Sequence, residues 1–173
     1  TSTLNDDPDS YDNFLTLTYN QHPVPELSSL INDRGKFYSK SLFLNEKPGE
    51  YFNYSNLNYG IIGTIIEKVS GMRFDEYCEK FIFSRLGINA NYNPAKINDI
   101  KNIATLYRKV DDTWVPQADN YNGVSPVYEN INNYIPGSNA IRFAPQGGLR
   151  ISATDLSKIF SIFLNDEIGR AHV

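Results

Sequence analysis

The chain has 173 residues, 40% of them hydrophobic, enough for one ordinary domain with a core, and its net charge of −4 with no basic run argues against nucleic acid as a partner. A single cysteine, Cys78, excludes an internal disulfide, and no Cys or His cluster has the spacing of metal ligands, so neither a metal nor another cofactor is expected. No apolar run approaches membrane-spanning length.

The first predicted element is a short helix over Pro25 to Ile31, with Leu27, Leu30 and Ile31 inward and Gly35 past its end, and Lys36 to Asn45 reads as an extended lead-in. Pro48-Gly49 is a turn signal, because proline presets φ and glycine tolerates positive φ. Tyr54-Ser55-Asn56 then runs straight into Leu57, Ile61, Ile65 and Val69, spaced by four, with Ile62 and Ile66 beside them. That spacing predicts a helix with an apolar stripe turned to the core, capped by Ser55 or Asn56 and ended by Gly71. Gly60 and Gly63 each cost about 1 kcal/mol against alanine inside a helix, which points to close packing against a neighbour. A second helix follows with Phe74, Tyr77, Cys78, Phe81 and Ile82 inward and Gly87 as its stop, and on that face Cys78 reads as a small core residue rather than a thiol catalyst.

Thr105 to Val110 and Thr113 to Pro116 alternate around Asp111-Asp112, which predicts a hairpin with Trp114 on its packed side. Asp119 to Asn139 is polar and bears Gly and Pro, the composition of a long surface loop. Gly147 and Gly148 either let backbone approach a cleft edge or mark a turn or bulge. Ser152 with Asp155 reads as a capping box ahead of Leu156, Ile159, Phe160 and Phe163, the last helix. No internal repeat and no second domain boundary is visible.

Tyr54 draws attention because it stands at the first turn of a buried helix, where unpaired N–H groups and the positive dipole end favour a phenolate. The Tyr-x-Asn pattern alone says little. With 12 tyrosines and 20 asparagines it is expected once or twice by chance, and Tyr11, Tyr51, Tyr54 and Tyr128 all precede an asparagine by two. Only Tyr54 leads into a long amphipathic helix, and a packed tyrosine beside a cap-forming asparagine accounts for the local pattern as well.

Pro48 to Gly71 resembles the Pro-Gly, Tyr-Ser-Asn, Tyr-x-x-x-Gly-x-Ile-Ile-Glu, Val-Ser-Gly succession of the class C β-lactamase, D,D-peptidase and esterase family, related to the penicillin-binding proteins, and Leu86-Gly87-Ile88 matches its close. Gly147-Gly148-Leu149 and Ser152-Ala153-Thr154-Asp155-Leu156 resemble the family's Gly-Gly-Leu and Ser-Thr-x-x-Asp-Leu segment. Thr1-Ser2-Thr3 resembles the end of its His-Thr-Ser-Gly stretch, with Thr3 where glycine is usual. The resemblance implies an α+β fold, mainly the helical lobe of a β-lactamase/transpeptidase-like structure with a small β-hairpin and most of the sheet lobe missing.

It also implies a serine acyl hydrolase, an esterase, amidase or peptidase that takes a small-molecule or peptide substrate. In it Tyr54 is the general base or proton shuttle, Asn56 holds the catalytic lysine and the substrate carbonyl, Ser55 is the variable middle residue on the substrate side, and Gly147 and Gly148 border the substrate. The family's nucleophilic Ser-x-x-Lys and its Lys-Thr-Gly occur nowhere in residues 1–173, and neither His22 nor His172 forms a His-x-Gly substitute. The chain is therefore expected to be a middle piece, 1–167 of a partial domain, inactive alone. Glu167 to Val173 can be encoded by GAG ATC GGA AGA GCA CAC GTC, which contains a widely used sequencing adapter, so 168–173 are expected to be a cloning or assembly scar. Two other readings stay open: a non-catalytic relative that keeps the fold as a binding or scaffold module, and an unrelated helical interaction domain. A Ser-x-x-Lys upstream separates the first of these from an enzyme.

Overall fold

Pro8 has no N–H to donate and its φ of −67° suits the residue before a helix, and the first helix, α1 (Asp9–Asn20), starts directly after it with Asp9 and Asp12 in the first turn against the positive dipole end. α1 is not among the predicted elements. Its buried positions are Tyr11, Phe14 and Thr18, and a threonine in that series breaks the apolar period. The computed structural model describes residues 3–127 and 131–164. The chain divides into two units, Thr1–Cys78 with Asn130–Gly148, and Glu79–Glu129 with Leu149–Val173.

In the first unit, α2 (Ser28–Ile31) buries Leu30 with the preceding Leu27, while Ile31, expected inward, is exposed. The stretch from 36 to 45 is not simply extended: it contains a 3-10 turn at Lys40–Leu42, and Phe43 forms an antiparallel bridge with Leu4. Phe14 and Phe37 meet edge to face with centroids 5.4 Å apart, beside Leu4, Leu30, Leu42 and Leu57.

α3 (Asn56–Ser70) ends as expected at Gly71, whose φ is 69°. Its orientation corrects the apolar-stripe expectation. Leu57 is buried and Ile61 partly so, but Ile62, Ile65 and Val69 face outward, Val69 with 84% of its surface exposed. The face turned inward carries Gly60, Gly63 and Glu67. It packs on a 3-10 turn at Ala140–Phe143: a Cβ on Gly60 would lie 2.3 Å from Ile141 Cγ1, and one on Gly63 would lie 3.0 Å from Ala140 Cβ. The Thr64 hydroxyl joins the same contact, accepting from Ala140 N at 3.0 Å. The close approach that the two glycines predicted is present, and it is what rotates the aliphatic residues outward.

Glu67 is fully buried and accepts three hydrogen bonds, from Phe74 N at 2.8 Å, Tyr134 Oη at 2.5 Å and Gly137 N at 2.9 Å. Burial raises its carboxyl pKa, and the three donors offset that only in part. Tyr134, Gly137 and Asn139 thus tie the end of the expected surface loop to the interior, while Ile135 between them stays exposed. Asn139 is fully buried and donates to Thr18 Oγ1 at 3.0 Å and to Pro25 O at 2.9 Å. α4 (Phe74–Cys78) closes this part of the chain with Phe74 and Cys78 buried, and desolvation pushes the Cys78 thiol up to about 12, which makes it inert at neutral pH.

In the second unit, a π-helical turn at Glu79–Phe83 leads into α5 (Ser84–Leu86), which stops at Gly87 with φ 60°. The π turn shifts the helical phase, so Phe83 is buried while Ile82 is exposed, against expectation. β1 (Leu106–Val110) and β2 (Thr113–Ala118) form the predicted antiparallel hairpin, with Asp111 and Asp112 at positive φ in its two-residue turn. Trp114 does not lie on a packed side; 65% of it is exposed. Asp119 accepts from the Arg150 guanidinium at 2.6 and 3.0 Å, and burial, which raises its carboxyl, is outweighed by those bonds and one from Tyr121, so it titrates below its ordinary value. Half of the expected capping box is present: Asp155 N donates to Ser152 Oγ at 3.0 Å at the start of α6 (Ala153–Leu164), but the Asp155 carboxylate takes the Ser152 hydroxyl at 3.1 Å instead of its N–H; Phe160 and Phe163 of this helix are exposed. Among the described residues, six α-helices and one small hairpin make this an α+β fold dominated by its helices, as expected. The predicted tail at 168–173, Thr1-Ser2 and Tyr128 lie outside the described residues.

Candidate functional site

The backbone turns from extended to helical at Ser55, which has φ −147° and ψ 120° and occupies the position before α3. A serine there ordinarily accepts a hydrogen bond from the first helical turn. Ser55 does not. Its hydroxyl is buried and donates to Asp6 Oδ1 at 2.7 Å. The Asp6 carboxylate accepts from the helix in its place, with Leu57 N donating to Oδ1 at 3.2 Å and Asn56 N donating to Oδ2. Close by in both segments, Asn53 Nδ2 donates to Leu4 O at 2.8 Å.

Tyr54 and Asn56 are brought together. The tyrosine hydroxyl donates to Asn56 Oδ1 at 3.0 Å, and 62% of the tyrosine is exposed. This pairs a proton-bearing phenol with the carbonyl end of an amide. The expectation that free helix N–H groups would favour a Tyr54 phenolate needs correction, since the Asn56 and Leu57 donors point at the Asp6 carboxylate. Among the described residues no lysine or arginine is hydrogen-bonded to Tyr54.

The other Tyr-x-Asn tyrosines differ in setting. Tyr11 is a core residue of α1 whose hydroxyl pKa is raised by burial and then by Asp6, and Tyr51 is exposed ahead of the triplet. Gly147 and Gly148 form a turn, both donating to Ala144 O, at 3.1 and 2.7 Å. Gly147 has open space where a Cβ would stand, whereas a Cβ on Gly148 would lie 2.7 Å from Ala144 Cβ. The pair connects to α3 through Pro145, which meets Gly63. A separate cavity of about 550 Å³ in the same unit is lined by His22, Glu26, Tyr134, Ile135 and Arg142 among others, and Tyr54, Ser55 and Asn56 are not part of it.

Asp6 is the residue that sequence reasoning missed. Cap signals are read in the few residues before a helix, and Ser55 satisfies that local rule while the real acceptor lies 50 residues away. Among the described residues no helix is long and apolar enough to cross a membrane, and no group of three His, Cys, Asp or Glu side chains could hold a metal ion. A family model described as Beta-lactamase matches residues 6–172. No curated protein and no solved structure matches the chain.

Proposed function

Because the chain belongs to the β-lactamase family, we propose that it is the part of a serine acyl hydrolase that carries the Tyr54-Ser55-Asn56 element, acting with a Ser-x-x-Lys upstream of residue 1. The reaction is acyl transfer from an ester, amide or peptide. The serine oxygen attacks the carbonyl, its proton passes to a base, and the leaving group departs protonated to give an acyl-enzyme that water then hydrolyses. Tyr54 moves the proton, and Asn56 orients it while presenting its amide to the lysine and the substrate carbonyl. Of the residues expected to border the substrate, the exposed Gly147 keeps that role, while Ser55 and Gly148 are buried and support it from behind, Ser55 with its hydroxyl on Asp6. The observation that carries this reading is the Tyr54 hydroxyl donating to Asn56 Oδ1 at the start of α3, an exposed phenol already held by the amide with which it is to work.

The test is the complete open reading frame, expressed and incubated with a reporter penicillin and an activated ester, followed by intact mass measurement. A longer protein with Ser-x-x-Lys is expected to gain one acyl group on that serine, and the 173-residue chain none. Stoichiometric acylation of the short chain sinks the proposal. A complete frame that lacks Ser-x-x-Lys and gains no acyl group points instead to a relative that keeps the fold for binding.

A further inference from the structure

The first turn of any α-helix presents N–H groups with no partner inside the helix. In α3 two of them, together with the Ser55 hydroxyl, converge on one carboxylate from a distant segment. A carboxylate has about four lone-pair sites, so Asp6 spends three on residues 55–57 and is not a free group awaiting substrate. Such bonds to an ionised acceptor are the stronger kind. The segment that bears Asp6 is itself fixed: Leu4 is buried in the core, Asn5 N donates to Leu42 O at 2.9 Å, and Leu44 N donates to Thr3 O at 2.7 Å. Leu4 O also takes Asn53 Nδ2. Tyr54 is therefore flanked by two anchored neighbours, Asn53 and Ser55, although its own ring is mostly in solvent.

We propose that Asp6 is a positioning residue, which sets the mutual placement of the Tyr54 hydroxyl and the Asn56 amide by anchoring the backbone between them. This rests on the reading that those two side chains act on the substrate. Asp6 acts through them and touches no substrate itself. The Asp6→Asn variant separates positioning from simple capping. Its side-chain amide keeps one acceptor oxygen for Ser55 and Leu57 but turns an NH₂ toward the Asn56 N–H, so the cap survives in part while Asn56 is displaced. Glutamate at the same position keeps both oxygens.

Two measurements test the proposal. On the 173-residue chain, amide exchange by NMR should show Asp6→Asn losing protection at Asn56, and shifting the Tyr54 ring resonances, while amides in the middle of α3 keep theirs; Asp6→Glu should restore both signals. On the longer protein, Asp6→Asn should lower kcat by about 10²-fold, the order expected for a misplacement of about 1 Å, with KM and the acylation burst amplitude unchanged. If Asp6→Asn does not fold, Ser55→Ala, which removes one of the three contacts, should give the same signature more weakly. Unchanged Asn56 exchange and Tyr54 shifts, or equal kcat for the variants, overturn the proposal. A wild-type longer protein that forms no acyl-enzyme overturns the functional reading instead, and the exchange data still decide whether Asp6 holds the triplet.

Discussion

Gly60→Ala adds one methyl group at the seam between α3 and the 3-10 turn in the first unit. An alanine Cβ there would stand 2.3 Å from Ile141 Cγ1 and 2.8 Å from its Cδ1, well inside van der Waals contact, and Ile141 is buried and cannot swing into solvent. In an open helix the same change would stabilise by up to about 1 kcal/mol, through propensity and a less flexible unfolded chain. Overpacking of a filled core costs about 1–3 kcal/mol. The clash wins, and the net loss should be about 1–2 kcal/mol. For a chain of this size each kcal/mol moves the midpoint by roughly 2–4 °C, so thermal unfolding followed by circular dichroism should show a fall of several degrees. Ile141→Ala alone should cost about 2–5 kcal/mol by leaving a cavity. In the double variant the new methyl occupies space that the isoleucine has vacated, so the two losses should fall short of additivity by about 1 kcal/mol. A rise in midpoint for Gly60→Ala, or strict additivity in the cycle, would refute the view that the glycine face of α3 packs on Ile141.

In the longer protein, Tyr54→Phe should slow turnover by about 10²- to 10⁴-fold with little change in midpoint, because the hydroxyl it removes is exposed, while Phe at Tyr11, Tyr51 or Tyr128 should cost little turnover; near-full activity of Tyr54→Phe would show the register of the site to be wrong. The Glu67 carboxyl titrates above its ordinary 4.5 in the folded state, so the folded chain holds that proton more tightly than the unfolded one, and the stability it contributes is fully present below pH 4.5 and lost as pH rises through the raised value. Urea unfolding of wild type and Glu67→Gln across that range should show the wild type losing ground to the variant as pH rises, and a parallel pair of curves would contradict the raised value. Deleting 168–173 should leave the midpoint unchanged, whereas a drop of several degrees would make the tail part of the fold.

Features decided within a few residues were legible in the sequence. Gly71 and Gly87 stop their helices, Asp111-Asp112 turns the hairpin, and Ser152 caps α6. What depended on distant chain was not. Hydropathy ranks Ile65 and Val69 above two glycines and a glutamate, yet only the glycines let α3 approach Ile141, and only the donors on Tyr134, Gly137 and Phe74 make a buried Glu67 tolerable. Trp114 reads as a packing residue because strand alternation says nothing about whether a second layer covers the hairpin. Asn139 reads as loop because its partners, Thr18 and Pro25, are more than a hundred positions away. Asp6 escaped for the same reason.

The first unit is interrupted in the chain: its last stretch, Asn130–Gly148, is synthesised only after all of Glu79–Glu129 has been made. Until then α3 has no Ile141 against which to set Gly60, and the Glu67 carboxylate lacks two of its three donors. A nascent chain that ends before about residue 141 therefore carries α3 with its glycine face open to water and its aliphatic face exposed as well, a helix without a partner on either side, with Glu67 and Lys68 near its end. Contacts of such long sequence separation form slowly, and the intermediate that waits for them presents the kind of surface that chaperones bind. The same glycine seam that packs the finished protein sets the latest moment at which its first unit can fold.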